Sequence, residues 1–363
     1  MAERDAPTSS GRLRFSSDTN PGWHRVRTGH GFRYLVADGT PLHDEADLDR
    51  IRGLAIPPAW EDVWICPDPN GHIQATGRDA RGRKQYRYHD RWRVARDEEK
   101  FDRMVEFGRA LPRLRKRVDR DLRRHGLERP RVLATVVRLL ETTYLRIGNQ
   151  EYARENRSYG LTTLRNRHVK VQGSQIHFRF RGKSGLQHEA GVTDRRLASL
   201  VSRIQELPGQ ELFQYLDADG DPHPITSDDV NEYLREASGA DVTAKDFRTW
   251  AGTLLAFRAL RSSGPASQVG LAGKRAVRES TELVAEALGN TAAVSRNSYI
   301  APRVVDAFLS GDLPRDLVHA TEKAGQLKPR GDRREELALI RTLESARGGG
   351  HGGRRGGAGK RGC

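Results

Sequence analysis

The stretch Val169-Lys170-Val171-Gln172-Gly173-Ser174-Gln175-Ile176-His177-Phe178-Arg179-Phe180-Arg181-Gly182-Lys183-Ser184-Gly185 decides the fold class. Apolar and polar residues alternate on either side of Gly173-Ser174, the period of strands with one buried face, and the glycines mark turns. The pattern predicts a three-stranded antiparallel sheet over residues 169–192. The sequence around it follows the helical period instead. Phe101, Met104, Val105, Leu111, Leu114 and Val118 share one helix face, with Pro112 as a candidate interruption. A second helix starts with Pro130 in its first turn, carries Leu133, Val136, Val137, Leu140 and Tyr144 towards a core, and is expected to stop near Gly148. Thr226-Ser227-Asp228-Asp229 caps a helix bearing Val230, Tyr233 and Leu234, and residues 274–288 read as another, ended by Gly289.

Upstream, residues 22–96 hold short alternating runs, Phe32 to Val36 and Val63 to Ile65, separated by Asp38-Gly39, Pro67, Pro69 and Gly71, with a short helix near residues 44–54. The expected class is α+β: a small β-rich N-terminal domain (residues 21–96), then a mainly α-helical domain (97–335) containing the three-stranded sheet. Residues 1–20 read as a disordered arm, and 336–363 as a basic Gly/Arg-rich tail, largely disordered.

The 363 residues carry a net charge of +15. The tail supplies five cations (Arg347, Arg354, Arg355, Lys360, Arg361) and no acid, so +10 belongs to the body, and a polyanion leads the list of partners. Cys66 and Cys363 support neither a disulfide framework nor a zinc spacing, which implies a reducing compartment. The N-terminal residues lack the apolar core of a signal peptide, and no apolar run approaches membrane-spanning length, so a cytoplasmic protein without a membrane role is expected.

Gly182-Lys183-Ser184 imitates the end of a phosphate-binding loop, but His177 stands where its first glycine belongs and a strand follows, so nucleotide binding is rejected. Asp217-Ala218-Asp219-Gly220-Asp221 reads as a polar turn rather than a calcium loop. His168, His177 and His188 read as sheet surface, not as metal ligands. Gly82-Arg83-Lys84-Gln85-Tyr86-Arg87-Tyr88 mixes cations with two tyrosines on one strand face, a pattern suited to phosphates. Taken alone, Arg146 is a cation at a helix end, Lys183 a turn lysine, the segment of Arg248 one whose Lys245 and Asp246 form a surface pair, and Tyr299 a core ring.

In order, however, Arg146-Ile147-Gly148, Lys183 on a hairpin, Lys245-Asp246-Phe247-Arg248-Thr249, and Tyr299 ten positions after Gly289 in the Gly289-Asn290-Thr291 segment resemble the active site of type IB DNA topoisomerases of the bacterial and poxvirus kind. The resemblance spans roughly residues 22–330 and implies that Arg146, Lys183, Arg248, Asn290 and Tyr299 form the site. It also implies that Arg83, Lys84, Gln85, Tyr86, Tyr88 and Tyr152 contact double-stranded DNA, gripped by two modules that close around the duplex. The family often carries histidine where this chain has Asn290. An amide donates a hydrogen bond but no positive charge.

The resemblance further implies a nucleoid-associated monomer needing neither cofactor nor metal, in which Tyr299 becomes joined to a 3′ phosphate and the bond energy is stored for resealing. Two other readings compete. A tyrosine recombinase shares the Arg, Lys, Arg, Tyr order but begins with a helical domain, unlike the β-rich module here. A noncatalytic DNA-binding protein has no use for all four groups.

Overall fold

The computed structural model describes residues 13–264, 270–314 and 331–345, and the chain divides into two compact units, residues 1–100 and 101–363. In the first, β1 (Trp23–Thr28), β2 (Gly31–Leu35), α1 (Glu45–Gly53), β3 (Glu61–Ile65), β4 (Ile73–Arg78) and β5 (Lys84–Tyr88) follow in order. The strands form one antiparallel sheet, β2-β1-β3-β4-β5. Asp44 caps α1 by accepting from the Asp47 amide, and Ile51 joins Trp23, Val63, Ile65 and Ala75 in a small core. Residues 13–20, expected to be loose, are stitched to the sheet: the Ser16 hydroxyl donates to the Ile73 carbonyl, and Trp64 Nε1 donates to the Asn20 carbonyl. The rest of the expected arm, residues 1–12, lies outside the described residues.

Helix α2 (Asp90–Asp121) begins in the first unit and carries into the second. It starts eight residues before Glu98, where the helical period becomes readable, and Pro112 does not interrupt it. A proline removes the N–H that would bond the carbonyl four residues earlier, here that of Gly108. Arg333 Nη1 donates to that carbonyl at 3.2 Å, so the missing bond is replaced from another helix.

The second unit continues with α3 (Arg129–Thr143), α4 (Gln150–Asn156), β6 (Val169–Gln172), β7 (Gln175–Arg181), β8 (Gln187–Thr193), α5 (Arg195–Gln205), β9 (Gln214–Leu216), β10 (Pro222–Pro224), α6 (Ser227–Ser238), α7 (Ala244–Ser262), α8 (Gly270–Leu288), α9 (Ala292–Ser298), α10 (Pro302–Ser310) and α11 (Arg333–Ser345). Strands β6-β7-β8 form the antiparallel sheet predicted over residues 169–192, and the α+β class stands. The β9-β10 hairpin was not read from sequence. Its turn is the Asp217 segment, where Asp217 Oδ1 accepts from the Asp219 and Asp221 amides and so serves the backbone.

The core centres on α7, whose Phe247, Trp250, Leu254 and Phe257 are all buried. Helix α11 is anchored to it by charge. Buried Glu336 accepts from Arg115 Nη1 and Nη2 at 2.9 and 2.6 Å, Arg115 also bonds Glu141, and Glu335 pairs with Arg258 at 2.7 Å. This helix crosses position 336, so the expected tail boundary falls inside it. Residues 346–363 lie outside the described residues.

Candidate active site

Helix α3 ends at Thr143, earlier than its sequence suggests, because Tyr144 adopts the left-handed conformation (φ 56°). That costs a non-glycine residue of order 1 kcal/mol and turns the chain out of the helix. The following loop is pinned by a close backbone approach. The Leu161 amide donates to the Arg146 carbonyl at 2.8 Å and the Thr162 amide to the Ile147 carbonyl at 2.7 Å. Gly148 (φ +101°) and Gly160 face each other there, and a Cβ on Gly160 would sit 2.6 Å from Gly148 Cα. Two glycines are therefore required for Arg146 to be held where it is.

Arg248 rises from α7 almost entirely buried. Its guanidinium donates to the Tyr144 carbonyl and, at 2.8 Å, to the Leu288 carbonyl, and it lies 5.2 Å from the centre of the Tyr299 ring. Among the described residues no carboxylate pairs with Arg146 or Arg248, and Arg248 Nε is buried without a partner. A buried cation held by neutral oxygens and not by a carboxylate retains its charge for an anion. Burial and the neighbouring Arg146 lower the Arg248 pKa to about 10, which leaves it charged at neutral pH.

Tyr299 follows α9 at its C-terminal cap. Its carbonyl accepts from the Thr253 hydroxyl at 3.0 Å, and its backbone rests on α7 at Gly252, where a Cβ would come within 2.7 Å of that carbonyl oxygen. Gly252 is one helical turn beyond Arg248, so one helix sets both the backbone of Tyr299 and a cation facing its ring. Burial pushes the phenol pKa up. The charges of Arg248 and Arg146, with hydrogen bonds from both, outweigh it and hold the phenol below its usual range.

Asn290 lies just past α8, where Gly289 (φ +60°) turns the chain and the Asn290 amide bonds the Ala285 carbonyl. Its Oδ1 accepts from Arg146 Nη2 at 2.7 Å, whereas its Nδ2 is buried and unpartnered. Lys183 is exposed at the turn between β7 and β8. It lines a pocket of about 240 Å³ with Arg146, Arg248, His188 and Gly289. The structure thus draws together Arg146, Arg248, Asn290 and Tyr299 through hydrogen bonds and charges, with Lys183 on the wall of the pocket that Arg146 and Arg248 line.

His188, read from sequence as sheet surface, is instead a pocket residue. It stands opposite Phe180 in the β7-β8 register, and the two rings stack at 5.8 Å. The alternation of β8 places it on the buried face with Ala190 and Val192, a signal present in the sequence but overridden there by its polarity. Burial, then Arg146 and Arg248, lower its pKa, so it is neutral at neutral pH.

The expected DNA contacts fall in two places. On β5, Lys84, Tyr86 and Tyr88 share the exposed face, with the two phenol rings stacked at 5.9 Å. Lys84 pairs with Asp18 at 2.5 Å, while Arg83 and Gln85 both bond Asp79, whose pKa falls to about 2 under the hydrogen bond from Arg83. Tyr152 sits in the first turn of α4, in the second unit. Among the described residues no group of His, Cys, Asp or Glu is arranged to hold a metal, and no helix is long and apolar enough to cross a membrane.

Comparison with known proteins places the chain in a family. The family model for the eukaryotic DNA topoisomerase I catalytic core matches residues 89–306, and that for the bacterial DNA topoisomerase IB N-terminal domain matches residues 31–79. DNA topoisomerase 1B of Acanthamoeba polyphaga mimivirus is 34% identical over 295 residues, covering 79% of this chain and 87% of the relative. DNA topoisomerase 1B of Vaccinia virus (strain Copenhagen) is 23% identical over 286 residues, 78% of this chain and 87% of that protein. On the strength of a family model covering more than half its length and a relative similar over nearly all of its own, the chain belongs to the type IB DNA topoisomerases.

Proposed function

We propose that the protein relaxes supercoiled duplex DNA by cutting and resealing one strand through a 3′-phosphotyrosyl bond at Tyr299, without ATP or metal. The observation that carries this reading is that Tyr299 and the unpartnered Asn290 amide both lie against Arg146 and Arg248, two arginines that have no carboxylate partner among the described residues and that line one pocket with Lys183. Negative charge grows on the nonbridging phosphate oxygens during attack, and forked, permanently charged donors are the groups suited to it. Arg146 and Arg248 take that role, with Asn290 Nδ2 as a neutral donor.

The Tyr299 oxygen forms the new bond to phosphorus while the bond to the 5′ oxygen breaks. The phenol proton passes to solvent, eased by the two cations that already favour the phenolate. The leaving 5′ oxygen takes a proton from Lys183, which as a lysine at an exposed turn can reach it as general acid. The freed end swivels, and its hydroxyl attacks the phosphotyrosine in reverse, restoring the phenol and the backbone. Arg83, Lys84, Gln85, Tyr86, Tyr88 and Tyr152 supply salt-sensitive contacts to the duplex.

The test is relaxation of supercoiled plasmid in EDTA without ATP, alongside Tyr299→Phe. Relaxed topoisomers and a covalent adduct are expected from the wild type. Tyr299→Phe should bind DNA and do neither. An active Phe variant removes the nucleophile, and absence of relaxation by the wild type removes the function.

A further inference from the structure

His188 lies where the two halves of the site meet. A Cβ on Gly182, the residue before Lys183, would sit 2.7 Å from His188 Nε2, and one on Gly289, the residue before Asn290, would sit 3.0 Å from its Cε1. One imidazole therefore touches both backbones from which a site residue springs. Phe180 stacks on the ring at an interplanar angle of 24°, which fixes its plane. Gly182 has extended backbone (φ −102°, ψ −158°), open to any residue, so only the ring's presence demands glycine there.

We propose that His188 is a positioning residue: its ring is a spacer that sets the Lys183 turn against the Gly289-Asn290 turn, through its shape and not through proton transfer. The inference rests on Lys183 acting as general acid. A turn on the surface has few restraints of its own. Its internal bonds, from the Gly182 amide to the Leu186 carbonyl and from the Gly185 amide to the Gly182 carbonyl, shape the loop without orienting it towards the pocket. The His188 ring supplies an outside contact at the residue next to Lys183, and a misplacement near 1 Å costs a reaction about 100-fold.

The consequence is a specific pattern of rates for single-turnover cleavage of a duplex oligonucleotide. His188→Ala should slow cleavage by about 10- to 100-fold. A substrate with sulfur in place of the bridging 5′ oxygen needs no proton on its leaving group, so it should restore His188→Ala to near the wild-type rate. Noncovalent affinity, read on the Tyr299→Phe background, should stay within about 2-fold, since the ring carries no charge to offer a phosphate. Gly182→Ala should be slow because its methyl strikes the ring, and adding His188→Ala should return part of that loss.

Lys183→Ala on the sulfur substrate is the control that separates the two ideas. If Lys183→Ala is not rescued, the acid assignment fails and the inference falls with it. If Lys183→Ala is rescued while His188→Ala stays slow, His188 acts on the phosphate or on folding, and the spacer role is overturned alone. Should His188→Ala fail to fold, the Gly182→Ala variant still decides: its rescue by sulfur supports the spacer, and an unrescued or wild-type rate refutes it.

Discussion

Gly252→Ala is a perturbation whose effect follows from geometry on one helix. The added methyl would lie 2.7 Å from the Tyr299 carbonyl oxygen and 2.9 Å from its Cβ, with Leu288 Cδ1 at 3.2 Å. Ordinary contact starts near 3.4 Å, so Tyr299 and α7 must separate by about 0.7 Å. Helix propensity favours alanine by about 1 kcal/mol, and overpacking opposes it by about 1–3 kcal/mol, so stability should change by no more than about 2 kcal/mol. Catalysis is less forgiving, because the displaced group is the backbone of the proposed nucleophile. Adduct formation in single-turnover assays is expected to slow by roughly 10- to 100-fold, with circular dichroism and noncovalent DNA binding close to wild type. A variant that forms the adduct at the wild-type rate refutes the claim that α7 sets the attack position.

Asn290→Asp keeps the acceptor for Arg146 but replaces the buried Nδ2 donor by an anion, and should slow adduct formation by about 100-fold or more, beyond the loss in Asn290→Ala. In Arg146→Gln one of the two charges holding the phenol low is removed, so burial lifts its pKa. The ionised form is then reached only at higher pH, and the pH–rate profile for cleavage should move upward on the pH axis; an unmoved profile would exclude phenol ionisation as its origin. Glu336→Ala leaves buried Arg115 short of an acid, a loss of about 3–5 kcal/mol, and should lower the midpoint of thermal unfolding by roughly 10 °C.

Periodicity and turn chemistry made the architecture readable. The alternation from Val169 to Phe180 gave the sheet, and Thr226 and Gly289 marked helix ends, since these signals act within a few residues. Pro112 misled because the group that compensates it, Arg333, is 221 positions away and no local pattern announces it. Tyr144 ended α3 early through a left-handed turn that its residue type disfavours. In the site, motif order located the residues, but the Arg146 bond to Asn290 and the place of Gly252 under Tyr299 belong to tertiary packing. His188 was hidden for a chemical reason: a polar residue in an alternating strand is taken for the wet face, although this one faces inward beside two cations.

The anchoring of α11 sets an order for biosynthesis. Until residues 333–345 leave the ribosome, Arg115 and Arg258 have no Glu336 or Glu335, and the Gly108 carbonyl has no Arg333. Arg115 then keeps Glu141 but lacks its second acid, so the desolvation of its guanidinium is less fully offset until α11 docks. The Arg115–Glu336 pair is therefore expected to close late in translation, and a chain truncated before residue 333 should be cut by proteases more readily than the full chain.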